Sequence, residues 1–174
     1  MNKLACWQIN LHHCRAANIN LAVEVGNLGC FVILIQEPWV FKNSIGGLPT
    51  DWRVHRDTFS NGPRACIATS PGLQGLLLSQ FTSRDSTAIL IESGCRSEPN
   101  IVLASFYMSH DSPIPPPLLW ELITFYQNKD LGLDQSSLDY CQQEMQRLPL
   151  VRTLTCYPST SQLPYMMPTM LHAP

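Results

Sequence analysis

The fold is decided by residues 31–39, which read FVILIQEPW. Five successive apolar residues, rich in β-branched and aromatic side chains, are typical of a strand buried on both faces, as in a parallel sheet covered by helices. Pro38 has no N–H group to give to a sheet, so the strand should end there and leave Gln36 and Glu37 at its carboxyl end. Because open α/β sheets bind ligands at that end, Glu37 is a candidate metal ligand or base. The alternative is a carboxylate that points into water.

The residues before this strand predict a β-α-β unit. Residues 4–9 are compatible with a first strand that closes on Asn10. A helix is predicted next, with Gly29 as its C-terminal cap. Since such a crossover makes the two strands parallel, Asn10 and Glu37 should lie near each other on one sheet edge. The apolar face of the helix comprises Cys14, Ala17, Leu21, Val25 and Leu28.

The histidines that follow Asn10 suggest a second kind of metal site. His12, His13 and Cys14 are candidate soft-metal ligands. Adjacent residues at the start of a helix point in different directions, however, so we predict that they open the helix.

The chain up to residue 133 continues with alternating strand and loop patterns. Residues 43–49 are predicted to be a loop, and residues 73–81 are apolar but ambiguous. A proline cluster ending at Pro117 then opens a second helix. Further strands are predicted at 52–55, 64–69, 86–92 and 101–107.

Residues 134–174 have a different character. Residues 134–148 hold a weak helical pattern, whereas residues 153–174 carry no charged side chain and four prolines. We therefore predict one domain over residues 1–133 and a poorly ordered segment over residues 134–174.

Composition limits the class of protein. A net charge of −2 and a pI near 6.2 give no overall basic surface, so any site for a polyanion must be local. The seven cysteines include no C-x-x-C pair, which favours reduced thiols over a zinc site or a disulfide framework. No signal peptide is visible, and no apolar run approaches the ~20 residues of a membrane span. We expect an intracellular protein, in the cytoplasm or the nucleus.

Three polar residues end three of the predicted strands: Asn10, Glu37 and Tyr107. Magnesium prefers hard oxygen ligands and is often held by one or two carboxylates, with water and phosphate completing its shell. An amide can orient a ligand oxygen beside it, and a tyrosine hydroxyl can donate to a phosphate. The ends of these strands thus carry the groups of a phosphoester site.

Five sequence blocks now carry a family resemblance. They are residues 8–17 (QINLHHCRAA), 35–39 (IQEPW), 63–67 (PRACI), 83–85 (SRD) and 104–107 (ASFY), the last followed by the proline cluster. In order and spacing they resemble the endonuclease domain of non-LTR retrotransposon proteins, within the endonuclease/exonuclease/phosphatase superfamily.

The resemblance implies a deoxyribonuclease-like, four-layered α/β sandwich of two mixed sheets flanked by helices. It implies that DNA is the partner and that Mg²⁺ assists hydrolysis of a phosphodiester, which nicks target DNA. Glu37 matches the metal-binding glutamate of the family, and Asn10 and Tyr107 match its active-site asparagine and tyrosine.

The sequence departs from the family after the proline-led helix. There the family has an Asp-x-Asn motif and later an Asp-His pair whose histidine is the general base. Neither occurs here, since residues 131–137 read LGLDQSS and His172 follows Leu171. We therefore expect a domain that is incomplete at its C-terminus. Two interpretations remain open: an impaired endonuclease or related phosphoesterase, and a non-catalytic remnant of the domain.

Other polar residues are weaker candidates. Arg53, Arg56 and Arg64 are candidate phosphate contacts, with Arg64 chosen as substrate-binding, although a solvated surface explains them equally well. His110 is interpreted as a loop residue, and Asp85 as a turn residue without a catalytic role.

Overall fold

The structure is a computed structural model that describes residues 4–92, 100–109 and 116–127. These residues form a mixed α/β fold, as predicted, although the predictions for His110 and for residues 134–174 lie outside them. In chain order the elements are β1 (Ala5–Asn10), α1 (Arg15–Val25), β2 (Phe31–Gln36), β3 (Val40–Phe41), β4 (Ser44–Ile45), β5 (Arg53–His55), β6 (Ala65–Thr69), β7 (Gly75–Leu77), a 3₁₀ turn (Ser79–Phe81), β8 (Ser86–Ile91), β9 (Ile101–Phe106) and α2 (Pro117–Gln127).

The first sheet has the strand order β1-β2-β6-β5. Strands β1 and β2 are parallel and joined by α1, with Asn10 opposite Gln36 at the carboxyl end, which confirms the predicted β-α-β unit. Strands β2 and β6 are antiparallel, so the sheet is mixed. The two strand ends therefore share one edge.

Strand β2 is buried on both faces, as its apolar run predicted. On one face Phe31, Ile33 and Ile35 pack with Leu21 and Val25 of α1. This alternation follows from the two-residue period of a strand.

The other face of β2 packs on a second sheet, with the order β7-β8-β9 and antiparallel pairing throughout. Val32 and Ile67 of the first sheet share a buried cluster with Ile89 and Leu103 of the second. Helix α2 covers the far side of the second sheet, where Leu122 packs in a further cluster. Neither helix of the described chain is long and apolar enough to cross a membrane.

Two local predictions are wrong. Helix α1 ends at Val25 with Gly26 as its C-cap, three residues before the predicted cap at Gly29. The Gly26 N–H still bonds to the Ala22 carbonyl at 3.0 Å, and the chain turns immediately afterwards. Residues 43–49 are not all loop, since β4 pairs with β3 in a hairpin. Strands of two residues are too short to show an alternating pattern.

The hairpin of β3 and β4 is attached to α1 through Asn18, which is fully buried. The Asn18 Nδ2 donates to the Gly46 carbonyl at 2.8 Å, and the Asn18 Oδ1 accepts from the Trp39 N–H at 3.2 Å. A buried amide that uses both of its ends in this way holds two chain segments in one position.

We expect Asn18→Ala to lower the free energy of unfolding by about 2 kcal/mol, because two backbone groups of the hairpin lose their partner. Asn20→Ala is the matched control, since Asn20 is exposed on the same helix. Urea denaturation of both variants measures the difference. If the two variants are equally stable, Asn18 does not hold the hairpin.

Candidate active site

The carboxyl ends of β1 and β2 form the base of the candidate site. The Leu11 N–H donates to the Gln36 carbonyl at 2.9 Å, and the His13 N–H donates to the Glu37 carbonyl at 2.7 Å. The two segments that leave the sheet are therefore bound to each other. His12, His13 and Glu37 have φ values of 49°, 53° and 47°, in the left-handed region that non-glycine residues rarely adopt. Such backbone strain is concentrated at functional sites.

The Glu37 carboxylate is surrounded by polar groups and is 16% exposed. The His12 Nδ1 lies 3.2 Å from one carboxylate oxygen, and the His13 Nε2 lies 3.9 Å from the other. Asn10 is connected to the Glu37 carboxylate through His12, because the Asn10 Oδ1 accepts a hydrogen bond from the His12 N–H at 2.9 Å. The His12 Nε2 is buried and has no hydrogen-bond partner in the described part of the chain.

This arrangement corrects the prediction that His12 and His13 serve to open the helix. Helix α1 begins only at Arg15, and both histidines lie against Glu37. Both histidines come directly after a strand that runs parallel to β2. Because ligand sites form at the carboxyl ends of parallel strands, that position was the sequence signal for a place beside Glu37.

Tyr107 reaches the same point from the second sheet. It follows β9, its N–H donates to the Asp85 carbonyl at 2.7 Å, and its hydroxyl lies within electrostatic range of the Glu37 carboxylate. Burial raises the pKa of Tyr107, the nearby Glu37 carboxylate raises it further, and Arg64 opposes the shift. The phenol is therefore protonated at neutral pH and has a proton to donate.

Arg64 lies between the strand ends and Tyr107. Its guanidinium carbon is 4.4 Å from the Tyr107 ring centroid, and its carbonyl accepts from the Glu37 N–H at 2.7 Å. The Arg64 guanidinium forms a two-pronged ion pair with the Asp85 carboxylate, and the hydrogen bond to Asp85 raises the pKa of Arg64. A permanent positive charge is thus positioned at the site.

The other two candidate phosphate contacts, Arg53 and Arg56, have different surroundings. Arg56 donates to the Asn43 carbonyl at 2.9 Å in the β3–β4 hairpin, and Arg53 is exposed on β5. Asp85 lies in a turn, as predicted, but its ion pair with Arg64 is an additional role that turn chemistry did not indicate.

The donor set suits a hard cation that the protein holds only in part. Glu37 offers a carboxylate and Asn10 an amide oxygen, which fits Mg²⁺ with a shell completed by water and phosphate. Within residues 4–92, 100–109 and 116–127, no group of three or more His, Cys, Asp and Glu side chains is arranged to hold a metal ion. A cage built entirely from protein ligands does not fit this part of the chain.

We expect Glu37→Gly to be more stable than Glu37→Ala by about 1 kcal/mol, because both lack the carboxylate and only glycine adopts a positive φ without steric cost. Urea denaturation measures the difference. The matched pair is Asn20→Gly and Asn20→Ala, for which the order should reverse because Asn20 lies within α1. The same order at both positions would contradict backbone strain at Glu37.

Comparisons with known proteins indicate which family this chain resembles. A search of solved structures finds the endonuclease domain of TRAS1, a telomere-specific non-LTR retrotransposon. The match has a TM-score of 0.55 and 27% sequence identity, and it covers 73% of this chain and 53% of that one. The chain therefore spans about half the length of that structure. No protein-family model and no curated protein matches the chain. The chain is thus similar in fold and in sequence to the endonuclease domain of a non-LTR retrotransposon, which confirms the resemblance carried by its five sequence blocks.

Proposed function

We propose that the chain is a divalent-metal-dependent DNA endonuclease that hydrolyses a phosphodiester and nicks target DNA. The observation that carries the proposal is the meeting of Glu37 and Arg64 of the first sheet with Tyr107 of the second, although they lie on three separate segments of the chain. The similarity to an endonuclease domain supports the same conclusion.

Glu37 and Asn10 would hold the cation, and we propose Mg²⁺. When bound, a divalent cation would draw electron density from the phosphate and offset its charge. The contribution of the chain is to keep the carboxylate in place. Backbone bonds on both sides of Glu37 and the contact from His12 restrict its movement.

Tyr107 and Arg64 would act on the phosphate itself. The protonated phenol can donate a hydrogen bond to a phosphate oxygen, and the Arg64 guanidinium supplies positive charge beside it. Asp85 fixes the guanidinium by its ion pair and therefore acts as a positioning residue. Donors that are already oriented stabilise developing negative charge without the cost of reorganisation.

A second candidate function, a non-catalytic remnant, is favoured by the missing motifs. The chain has no Asp-x-Asn and no Asp-His pair, so the general base of the family is absent from its sequence. Loss of the base and of transition-state donors reduces a rate by several orders of magnitude. We therefore expect an impaired enzyme if the chain is active.

The proposal also covers the architecture of the complete domain and the location of the protein in the cell. The full arrangement would be the four-layered sandwich of this nuclease class, with residues 1–133 as its N-terminal part and residues 134–174 as a divergent segment. The thiols of Cys6, Cys30 and Cys66, which form no disulfide within the described residues, support a reducing compartment, the cytoplasm or the nucleus, as the place where the protein would act.

Nicking of supercoiled plasmid tests the proposal. We expect the wild type to convert plasmid slowly to the open circle in Mg²⁺, and EDTA to stop the reaction. Glu37→Gln and Tyr107→Phe should each lower the rate by about 10²-fold or more, because each removes a group that contacts the cation or the phosphate. Agarose gels over a time course measure these rates.

Glu24→Gln is the matched control, since Glu24 is an exposed glutamate on α1. It should nick at the wild-type rate. Equal nicking by wild type and Glu37→Gln would indicate a contaminating nuclease and contradict the proposal. Absence of nicking by the wild type would support the non-catalytic remnant.

A further inference from the structure

The hairpin of β3 and β4 follows directly after Glu37 and Pro38. Phe41 pairs with Ser44 across it, and the turn consists of Lys42 and Asn43. Both turn residues have positive φ, 48° and 61°, as a type I′ turn requires. The chain thus accepts two residues with left-handed backbone to form a tight hairpin.

The hairpin carries two aromatic rings, each paired with a cation. The Trp39 and Phe41 rings are stacked, with centroids 5.8 Å apart and planes at 18°. The Arg15 guanidinium is 5.4 Å from the Trp39 ring centroid, and the Lys42 Nζ is 5.4 Å from the Phe41 ring centroid. Phe41 is 56% exposed. These four residues are termed the aromatic-cation patch.

Contacts with neighbouring residues hold the patch in place. Asn18 fixes the Trp39 N–H and the Gly46 carbonyl, as described above. Gly46 packs directly against the Trp39 ring, so closely that a Cβ at this position would overlap it. Arg56 donates to the Asn43 carbonyl at the turn. The rings are therefore positioned before any ligand binds, which lowers the entropic cost of binding.

The chemistry of the patch matches single-stranded nucleic acid. The flat face of a base stacks on an aromatic side chain, and lysine and arginine contact the phosphates that join the bases. An acidic peptide would pair with the cations but offers no array of flat rings. In a duplex the base faces are covered by their neighbours, so only unpaired bases can use both parts of the patch.

We propose that the aromatic-cation patch binds single-stranded DNA beside the cleavage site. The choice of DNA rests on the proposed function, whereas the preference for unpaired bases rests on the stacked rings and their cations alone. Trp39 of the patch comes two residues after Glu37, and the His13 Nδ1 lies 3.1 Å from the carbonyl of Pro38, the residue between them.

Fluorescence anisotropy tests the proposal with a labelled 20-nucleotide single strand and its duplex, both in EDTA. We expect the wild type to bind the single strand more tightly than the duplex. Phe41→Leu keeps apolar bulk and removes the ring, and it should weaken single-strand binding about 5- to 50-fold. Trp120→Leu is the matched control, because Trp120 is 43% exposed on α2, which covers the far side of the second sheet, and it should change binding by less than about 2-fold.

Charge is tested separately. Affinity falls as salt rises, and each phosphate contact on a single strand adds about 0.7 to the steepness of log affinity against log salt concentration. Lys42→Gln and Arg15→Gln should each make that dependence less steep by about 0.7. Lys42→Arg, which keeps the positive charge, should leave that dependence unchanged. Circular dichroism confirms that each variant is folded.

Three results would overturn the proposal. They are failure of the wild type to bind the single strand, equal binding by Phe41→Leu and the wild type, and competition by polyglutamate as effective as that by unlabelled single strand. Because the assay contains no metal, its result is independent of nicking. Selective single-strand binding without nicking would remove only the proposed endonuclease function, and nicking with no effect of Phe41→Leu on binding would remove only this inference.

Discussion

The candidate site depends on hydrogen bonds that join the two sheets at one edge. The Ser105 hydroxyl donates to the Ile35 carbonyl at 3.1 Å, and the Gln36 amide donates to the Phe106 carbonyl at 2.8 Å. The Thr87 hydroxyl donates to the Ala65 carbonyl at 3.1 Å. Because buried polar groups are costly without partners, these bonds fix how the sheets are aligned. That alignment brings Tyr107 of one sheet to Glu37 and Arg64 of the other.

The segments at this edge combine a rigid framework with local strain. Three non-glycine residues have left-handed backbone, and hydrogen bonds between the segments that follow β1 and β2 keep them there. The result is a carboxylate with restricted freedom, flanked by His12 and Tyr107. Arg64 and Asp85 add a fixed ion pair on the Tyr107 side. A strained and well-bonded environment of this kind is typical of functional sites whose groups are positioned in advance.

Sequence reasoning succeeded where one local pattern sufficed. The apolar run of β2, the parallel pairing with β1 and the approach of Asn10 to Glu37 all followed from periodicity and from the geometry of a crossover. It was wrong at the cap of α1 and in residues 43–49, where β4 pairs with β3. A two-residue strand has no period, and a turn built from Lys42 and Asn43 lacks the glycine that marks most hairpins.

The sequence by itself determined the β-α-β unit and the residue types at its strand ends, because apolar spacing and the constraints on proline act within a few neighbouring residues. The resemblance grouped Tyr107 with Glu37, but only the tertiary structure decided that Arg64 lies against the Tyr107 ring, that Asp85 pairs with Arg64, and that Asn18 holds the hairpin. Those contacts depend on packing between two sheets, and some of the bonds that set it join residues 70 positions apart. No local pattern encodes an alignment of that kind, since it arises from the shapes of both buried faces together.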